Sequence, residues 1–159
     1  MNANYQLRPV TLKDAVKLQE SCWPNSSLDS ITELLQRVEG ISHRNRGLGI
    51  VAHDNGRILG YGQLTLWPRT TEISDLIVTP GYRNRGIGTA IILYLVDTVR
   101  SWHLPLVEIG VAMNNPRALA LYQRLGFAED RIISLDLGHG AETVMYLTMR
   151  VDRNGLRYE

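Results

Sequence analysis

Apolar and polar positions along the chain switch between a period of two and a period near 3.6, and the switches mark the elements. Tyr5 to Val10 reads as a short strand. Thr11 is an N-cap, with Asp14 at the third following position, so a helix runs to about Ser21 with Ala15, Leu18 and Cys22 inward. Trp23-Pro-Asn-Ser-Ser27 breaks the chain, and Asp29 or Ser30 caps a second helix through about Val38. Ile31, Leu34, Leu35 and Val38 carry its helical spacing, and Gly40 to Gly47 reads as a basic loop. Leu48–His53 and Arg57–Leu66 are strands joined at Asp54-Asn55-Gly56, because Asn-Gly between apolar runs is a strong hairpin signal. Trp67-Pro68-Arg69 is a loop, and Glu72–Val78 is the next strand. Its end, Leu76-Ile77-Val78, is apolar throughout, as in a strand buried on both faces.

Pro80 and Gly81 end that strand. From Ile87 to Val99 the spacing is helical, with Ile87, Ile91, Tyr94, Leu95 and Thr98 on one side; the helix ends near Trp102-His103, before Pro105. Leu106–Ala112 is a strand. Asn115 caps a helix that Pro116 opens, Ala118, Leu121, Tyr122 and Leu125 form its apolar stripe, and Gly126 stops it. Ile132–Leu137 and Thr143–Met149 alternate as strands about a Gly138-His139-Gly140 turn. The order β-α-α-β-β-β-α-β-α-β-β predicts a mixed α/β (α+β) sheet flanked by helices. A parallel pair, the strands at Glu72–Val78 and Leu106–Ala112, lies at its centre.

Composition narrows the function classes. A chain of 159 residues suits one domain, taken as residues 1–159. A net charge of +1 gives no sign of a nucleic-acid surface. Cys22 is the only cysteine, which excludes an intrachain disulfide and a cysteine-cluster metal site. His43, His53, His103 and His139 share no ligand spacing, so no metal is expected. The first residues lack a basic-then-apolar leader and no apolar run is long enough for a bilayer, so the expectation is a soluble, cytoplasmic protein without a membrane partner.

The informative stretch is Arg83-Asn-Arg-Gly-Ile-Gly88, set between a strand and a helix. Glycines there let backbone N–H groups approach a ligand at a helix N-terminus, where the dipole favours anions. Arg83 and Arg85 add cations suited to phosphate oxygens. The residues alone also fit an ordinary βα turn with solvated arginines. A Walker loop is excluded for want of Gly-Lys-Ser/Thr. A dinucleotide fingerprint is excluded because Ile91 stands where its third glycine belongs.

The loop resembles the Arg/Gln-x-x-Gly-x-Gly/Ala signature of the GNAT (Gcn5-related) N-acetyltransferase superfamily, with Arg83, Gly86 and Gly88 at its fixed positions. Asn115-x-x-Ala118-x-x-Leu121-Tyr122-x-x-x-Gly126-Phe127 resembles that superfamily's second signature, and Arg8-Pro-Val-Thr-Leu-Lys-Asp-Ala15 resembles its opening strand and helix. The resemblance implies acetyl-CoA as co-substrate. Its diphosphate would lie on the main chain of Arg83, Asn84, Arg85, Gly86, Ile87, Gly88 and Thr89. Its pantetheine would lie along Leu76, Ile77 and Val78, where the two central strands splay, and near Asn115. It implies further that the backbone around Val78 donates to the thioester oxygen and that Tyr122 approaches the sulfur as general acid. Taken alone, Tyr122 could be core and Asn115 only a cap.

The base is less defined. Glu72 stands where some histone-type members carry a catalytic Glu. The position used by a branch acting on ribosomal-protein N-termini is Gly110 here, and Glu108 or a water chain could substitute. In a regular strand Asp75 points away from Glu72. The reading is an N-acetyltransferase acting on a primary amine of a small molecule or peptide by direct attack. A non-catalytic acyl-CoA sensor on the same fold is the alternative, a different nucleotide-phosphate binder is a third reading, and the resemblance allows a homodimer.

Overall fold

The computed structural model describes residues 4–136 and 140–152. The strands are β1 (Gln6–Pro9), β2 (Gly47–Asp54), β3 (Arg57–Leu66), β4 (Thr71–Val78), β5 (Leu106–Ala112), β6 (Ala128–Asp136) and β7 (Ala141–Arg150). The helices are α1 (Ala15–Ser21), α2 (Leu28–His43), α3 (Ile87–Ser101) and α4 (Pro116–Arg124), with one 3₁₀ turn at Leu12–Asp14. One seven-stranded sheet runs β1-β2-β3-β4-β5-β7-β6. Every neighbouring pair is antiparallel except β4 and β5. The sequence-predicted order of elements and the central parallel pair are both present. The turn expected at Gly138-His139-Gly140 falls largely outside the described residues.

Each face of the sheet buries its own apolar cluster. Ile73, Ile87, Ile91, Leu95, Ile109 and Leu147 belong to the larger cluster, under α3. Leu18, Leu35, Val51, Ile58 and Tyr61 form the smaller one, under α1 and α2. Alternation along the strands thus places Ile73 and Ile109 on the α3 face and Glu72 and Glu108 on the opposite face. No helix among the described residues is long and apolar enough to cross a membrane.

Three expectations need correction. Ser27, not Asp29 or Ser30, caps α2: its hydroxyl accepts the Ser30 N–H at 3.1 Å. The helix then continues to His43, through the stretch expected as loop. A glycine inside a helix costs about 1 kcal/mol relative to Ala, and Ile41 opposes that cost by continuing the apolar stripe over Gly47. A Cβ on Gly47 would lie 2.7 Å from the Ile41 side chain.

The second correction concerns α3, whose buried stripe is Ile87, Ile91, Ile92, Leu95, Val96 and Val99. Tyr94 is 37% exposed and Thr98 half-buried, because the helix is turned so that its most aliphatic side meets the sheet. Third, β4 is not regular. Tyr61 pairs with Ile77 but Gln63 pairs with Ser74, so Asp75 and Leu76 together oppose Gly62. Asp75 sits at φ 54°, a left-handed conformation that Asp tolerates better than most residues. The bulge turns Asp75 onto the face of Glu72 and Ser74, where Ser74 Oγ donates to its carboxylate at 3.4 Å.

Candidate active site

The parallel pairing of β4 and β5 is short. Glu72 lies beside Glu108 and Ile73 beside Ile109, and there the ladder between them stops. β5 continues with β7 as its partner through Ala112, and β4 continues with β3 through Val78. The two strands therefore part beyond Ile73, where the Asp75 bulge bends β4 away. Ser74 to Val78 lack a strand partner on the β5 side, so the main chain of Leu76, Ile77 and Val78 offers N–H and C=O groups to an extended ligand. This edge also corrects the expected double-faced burial: Leu76, Ile77 and Val78 are each only half-buried.

The loop after β4 is built to leave donors free. Asn84 and Gly86 both take positive φ, 63° and 83°, which folds the chain tightly before α3. Gly86 is the N-cap of α3 and supplies no side-chain cap; the first turn carries no acidic residue. By contrast, α2 is capped by Ser27 and α4 by Asn115. The leading N–H groups of α3, at Ile87, Gly88 and Thr89, are thus left to an outside acceptor. A Cβ on Gly86 would meet no atom within 4 Å, so open space lies over the loop.

Side chains fix this loop in place. The Arg83 Nε donates to the Val78 carbonyl at 3.1 Å, which ties the loop to the end of β4. Arg85 lies over the Tyr82 ring at 5.1 Å. Arg117, at the start of α4, donates to Asn84 Oδ1 at 2.9 Å and links the α4 end to the loop. Arg83, Asn84 and Arg85 remain exposed, so their cationic and amide groups border the open space. The donor set suits a diphosphate: unsatisfied N–H groups at a helix start, flanked by arginines.

Tyr122 is 7% exposed and packs against Phe127, with ring centres 6.3 Å apart. Its phenol makes no hydrogen bond within the described chain, yet it is not fully sealed: the only fully buried side-chain oxygen without a partner among the described residues is Asp152 Oδ1. Burial pushes the phenol's pKa up, so it stays protonated at neutral pH and can give a proton away. Asn115 Oδ1 accepts the Ala118 N–H at 3.2 Å. The cap uses only that oxygen, which leaves the amide NH₂ able to donate.

On the other face of the sheet the carboxylates fall into different states. The Trp67 indole donates to Glu72 Oε1 at 2.9 Å. Glu108 is buried and held by Arg131 through two bonds, at 2.9 and 3.3 Å. That clamp takes Glu108 out of the set of bases. Burial raises the Asp75 pKa, while the Ser74 hydrogen bond and the Arg37 charge act to lower it. Asp75 was assigned to the wrong face by strand alternation; no residue pattern signals the bulge. Arg131 and Tyr146 were also missed, although Tyr146 stands between the apolar Met145 and Leu147 of β7 and so must face away from the core.

Comparison with known proteins identifies the family. The model of the Acetyltransferase (GNAT) family matches residues 12–127. This chain belongs to that family. A glucosamine 6-phosphate N-acetyltransferase from Trypanosoma brucei brucei is 30% identical over 150 residues, covering 79% of this chain and 100% of that protein. An uncharacterized N-acetyltransferase from Methanocaldococcus jannaschii is 37% identical over 62 residues, and the match spans only 27% of its length. Among solved structures, a putative acetyltransferase from Salmonella typhimurium with its cofactor acetyl-CoA superposes with a TM-score of 0.76 at 18% identity, covering 94% of this chain and 95% of that one. A phosphinothricin acetyltransferase from Sinorhizobium meliloti, in complex with acetyl-CoA, gives 0.77 at 18% identity, covering 96% and 90%. The GNAT chain described here is accordingly an acetyl-CoA-dependent N-acyltransferase; among its described residues no His, Cys, Asp or Glu cluster could hold a metal.

Proposed function

We propose that residues 1–159 form one acetyltransferase domain that moves the acetyl group of acetyl-CoA to a primary amine of a small molecule or peptide. The observation that carries the reading is the parting of β4 and β5 beside an uncapped helix N-terminus. The α3 amides and Arg83–Arg85 hold the diphosphate, and the free edge at Leu76–Val78 takes the pantetheine as an added strand. This sets the sulfur toward Tyr122 and the thioester carbonyl toward the β4 amides near Val78. The amine nitrogen attacks the carbonyl from the face bearing Glu72. Holding both reactants there removes much of the entropic barrier.

An alkylamine carries a proton up to a pKa of roughly 10, so it must lose one before it attacks. Glu72 is the carboxylate that fits this role, because Trp67 fixes its orientation and no cation among the described residues pairs with it. β4 N–H groups stabilise the charge that grows on the carbonyl oxygen. As the carbon–sulfur bond breaks, the Tyr122 phenol protonates the leaving thiolate. The products are the acetylated amine and free CoA: the proton lost before attack passes through Glu72 to solvent, and the one lost from nitrogen as the tetrahedral intermediate collapses restores the Tyr122 phenol.

Titration calorimetry with acetyl-CoA and with CoA tests the cradle. Binding is expected, and Gly86→Glu abolishes it by setting a carboxylate among the α3 amides. A thiol-release assay over a panel of primary amines tests the transfer. Binding without turnover on any amine would favour an acyl-CoA sensor. No binding at all would remove the proposal.

A further inference from the structure

Glycine at position 110 has a physical consequence on the Glu72 face. Gly110 is the first β5 residue beyond the last β4 pair, so it stands at the mouth of the opening. It pairs with Tyr146 of β7. A Cβ at Gly110 would lie 3.3 Å from two carbons of the Tyr146 ring, so the ring lies against the bare backbone where another residue would place a side chain. Arg131 covers the ring from outside, with its guanidinium carbon 4.5 Å from the ring centre. The same Arg131 is held by Glu108. Three strands, β5, β6 and β7, thus pin one phenol at the edge of the gap.

The phenol's surroundings are acidic. Burial raises its pKa, and the nearby charges of Glu72 and Glu108 raise it further, against the lowering effect of Arg131. It therefore remains a neutral hydrogen-bonding group. Glu72 accepts the Trp67 indole N–H through one oxygen, and its carboxylate lies within hydrogen-bonding reach of the Tyr146 hydroxyl. Arg131 neutralises Glu108, so Glu72 is the negative charge of this group without a cationic partner among the described residues. Half-exposed Trp67 and the Tyr146 ring flank it with aromatic surface, which favours a cation.

We propose that Tyr146 and Glu72 together form the acceptor subsite and hold an aliphatic ammonium at the mouth of the β4–β5 gap. The inference rests on the acetyl-transfer reading above. The ammonium donates one N–H to the Glu72 carboxylate and another to the phenol oxygen of Tyr146, whose own O–H faces Glu72. The nitrogen is then aimed into the gap, where the thioester carbonyl lies. A weakly basic aromatic amine, which arrives neutral, gains nothing from the Glu72 charge and is a poor acceptor.

The test uses the full chain, acetyl-CoA, aliphatic primary amines and aniline in the thiol-release assay, with Tyr146→Phe, Glu72→Gln and the double variant. Tyr146→Phe keeps the ring against Gly110 and beneath Arg131 and removes only the hydroxyl. The expected result is a rise in KM for the aliphatic amine of about 10- to 100-fold, the loss of one hydrogen bond to a charged group. KM for acetyl-CoA and the melting temperature stay as in the wild type. The double variant loses less than the product of the single losses, because both groups hold one ammonium. An unchanged amine KM in Tyr146→Phe, a change confined to acetyl-CoA, strictly multiplicative losses, or aniline used as well as the aliphatic amines would each overturn this inference and leave acetyl transfer standing. Turnover on no amine at all would instead sink acetyl transfer, and the inference with it.

Discussion

Replacing Tyr122 with Phe separates catalysis from stability, because the phenol makes no hydrogen bond within the described chain. Its ring is what contributes to packing: it is buried among the α3-side cluster and lies against Phe127. Phe keeps that ring. The stability change is therefore expected within about 0.5 kcal/mol of zero, as for a substitution that breaks no contact. A buried, bonded tyrosine would instead lose about 1 kcal/mol or more. Rate behaves differently. If Tyr122 protonates the leaving thiolate, its loss removes a general acid, an effect of about 10²- to 10⁴-fold in kcat. That corresponds to roughly 2.7–5.4 kcal/mol of barrier. The Kd for acetyl-CoA should change little, since the diphosphate grip lies at the Arg83–Thr89 loop. Urea unfolding, titration calorimetry and the thiol-release assay read the three quantities on the same preparation. Full kcat in Tyr122→Phe refutes the acid role. A stability loss above about 1 kcal/mol refutes the claim that the phenol is unpartnered.

Three further outcomes follow from the same packing. Arg131→Met leaves Glu108 buried without its cation; with Arg131 44% exposed and so partly screened, urea unfolding should show a loss of about 1–2 kcal/mol. Removing the carboxylate too, in a Glu108→Gln/Arg131→Met double variant, should recover part of it. Burial alone would raise the Asp14 pKa, but the bonds from Arg8 and Thr11 outweigh it and the net shift is downward. A depressed folded-state pKa stabilises above the unfolded value of about 3.9 and fades as pH falls through the folded value, so the acid limb of melting temperature against pH should flatten in Asp14→Asn. Gly47→Ala sets a methyl 2.2 Å from the Leu64 carbonyl oxygen, which is backbone and cannot step aside; calorimetric melting should show a loss of about 1–3 kcal/mol or more.

What the residues alone revealed, and what they hid, divides along local and non-local physics. The Asn55-Gly56 hairpin, the Asn115-Pro116 helix start and the Gly126 stop were readable because each is fixed by backbone preferences within a few residues. The strand–loop–helix at Leu76–Thr89 was readable for the same reason, and so were its uncapped amides, since they and the positive φ at Gly86 follow from the glycine itself. The turn of α3 that exposes Tyr94 was hidden, because six aliphatic residues at Ile87, Ile91, Ile92, Leu95, Val96 and Val99 compete for the sheet and only packing decides which side wins. The Asp75 bulge was hidden more deeply. It depends on register against Gly62 of the neighbouring strand β3, and on Asp tolerating φ 54°. That one irregularity has the widest effect on the proposed function: it lies where the β4–β5 ladder ends and carries a carboxylate to the face of Glu72. Gly110 is the converse case. As a residue it says only that a family carboxylate is missing; the Tyr146 ring that fills its place comes from a strand thirty-odd residues later, by a pairing that only the folded sheet creates. Half of the site is therefore written in short-range chemistry that a sequence displays, and the amine half is written in cross-strand register, which it does not.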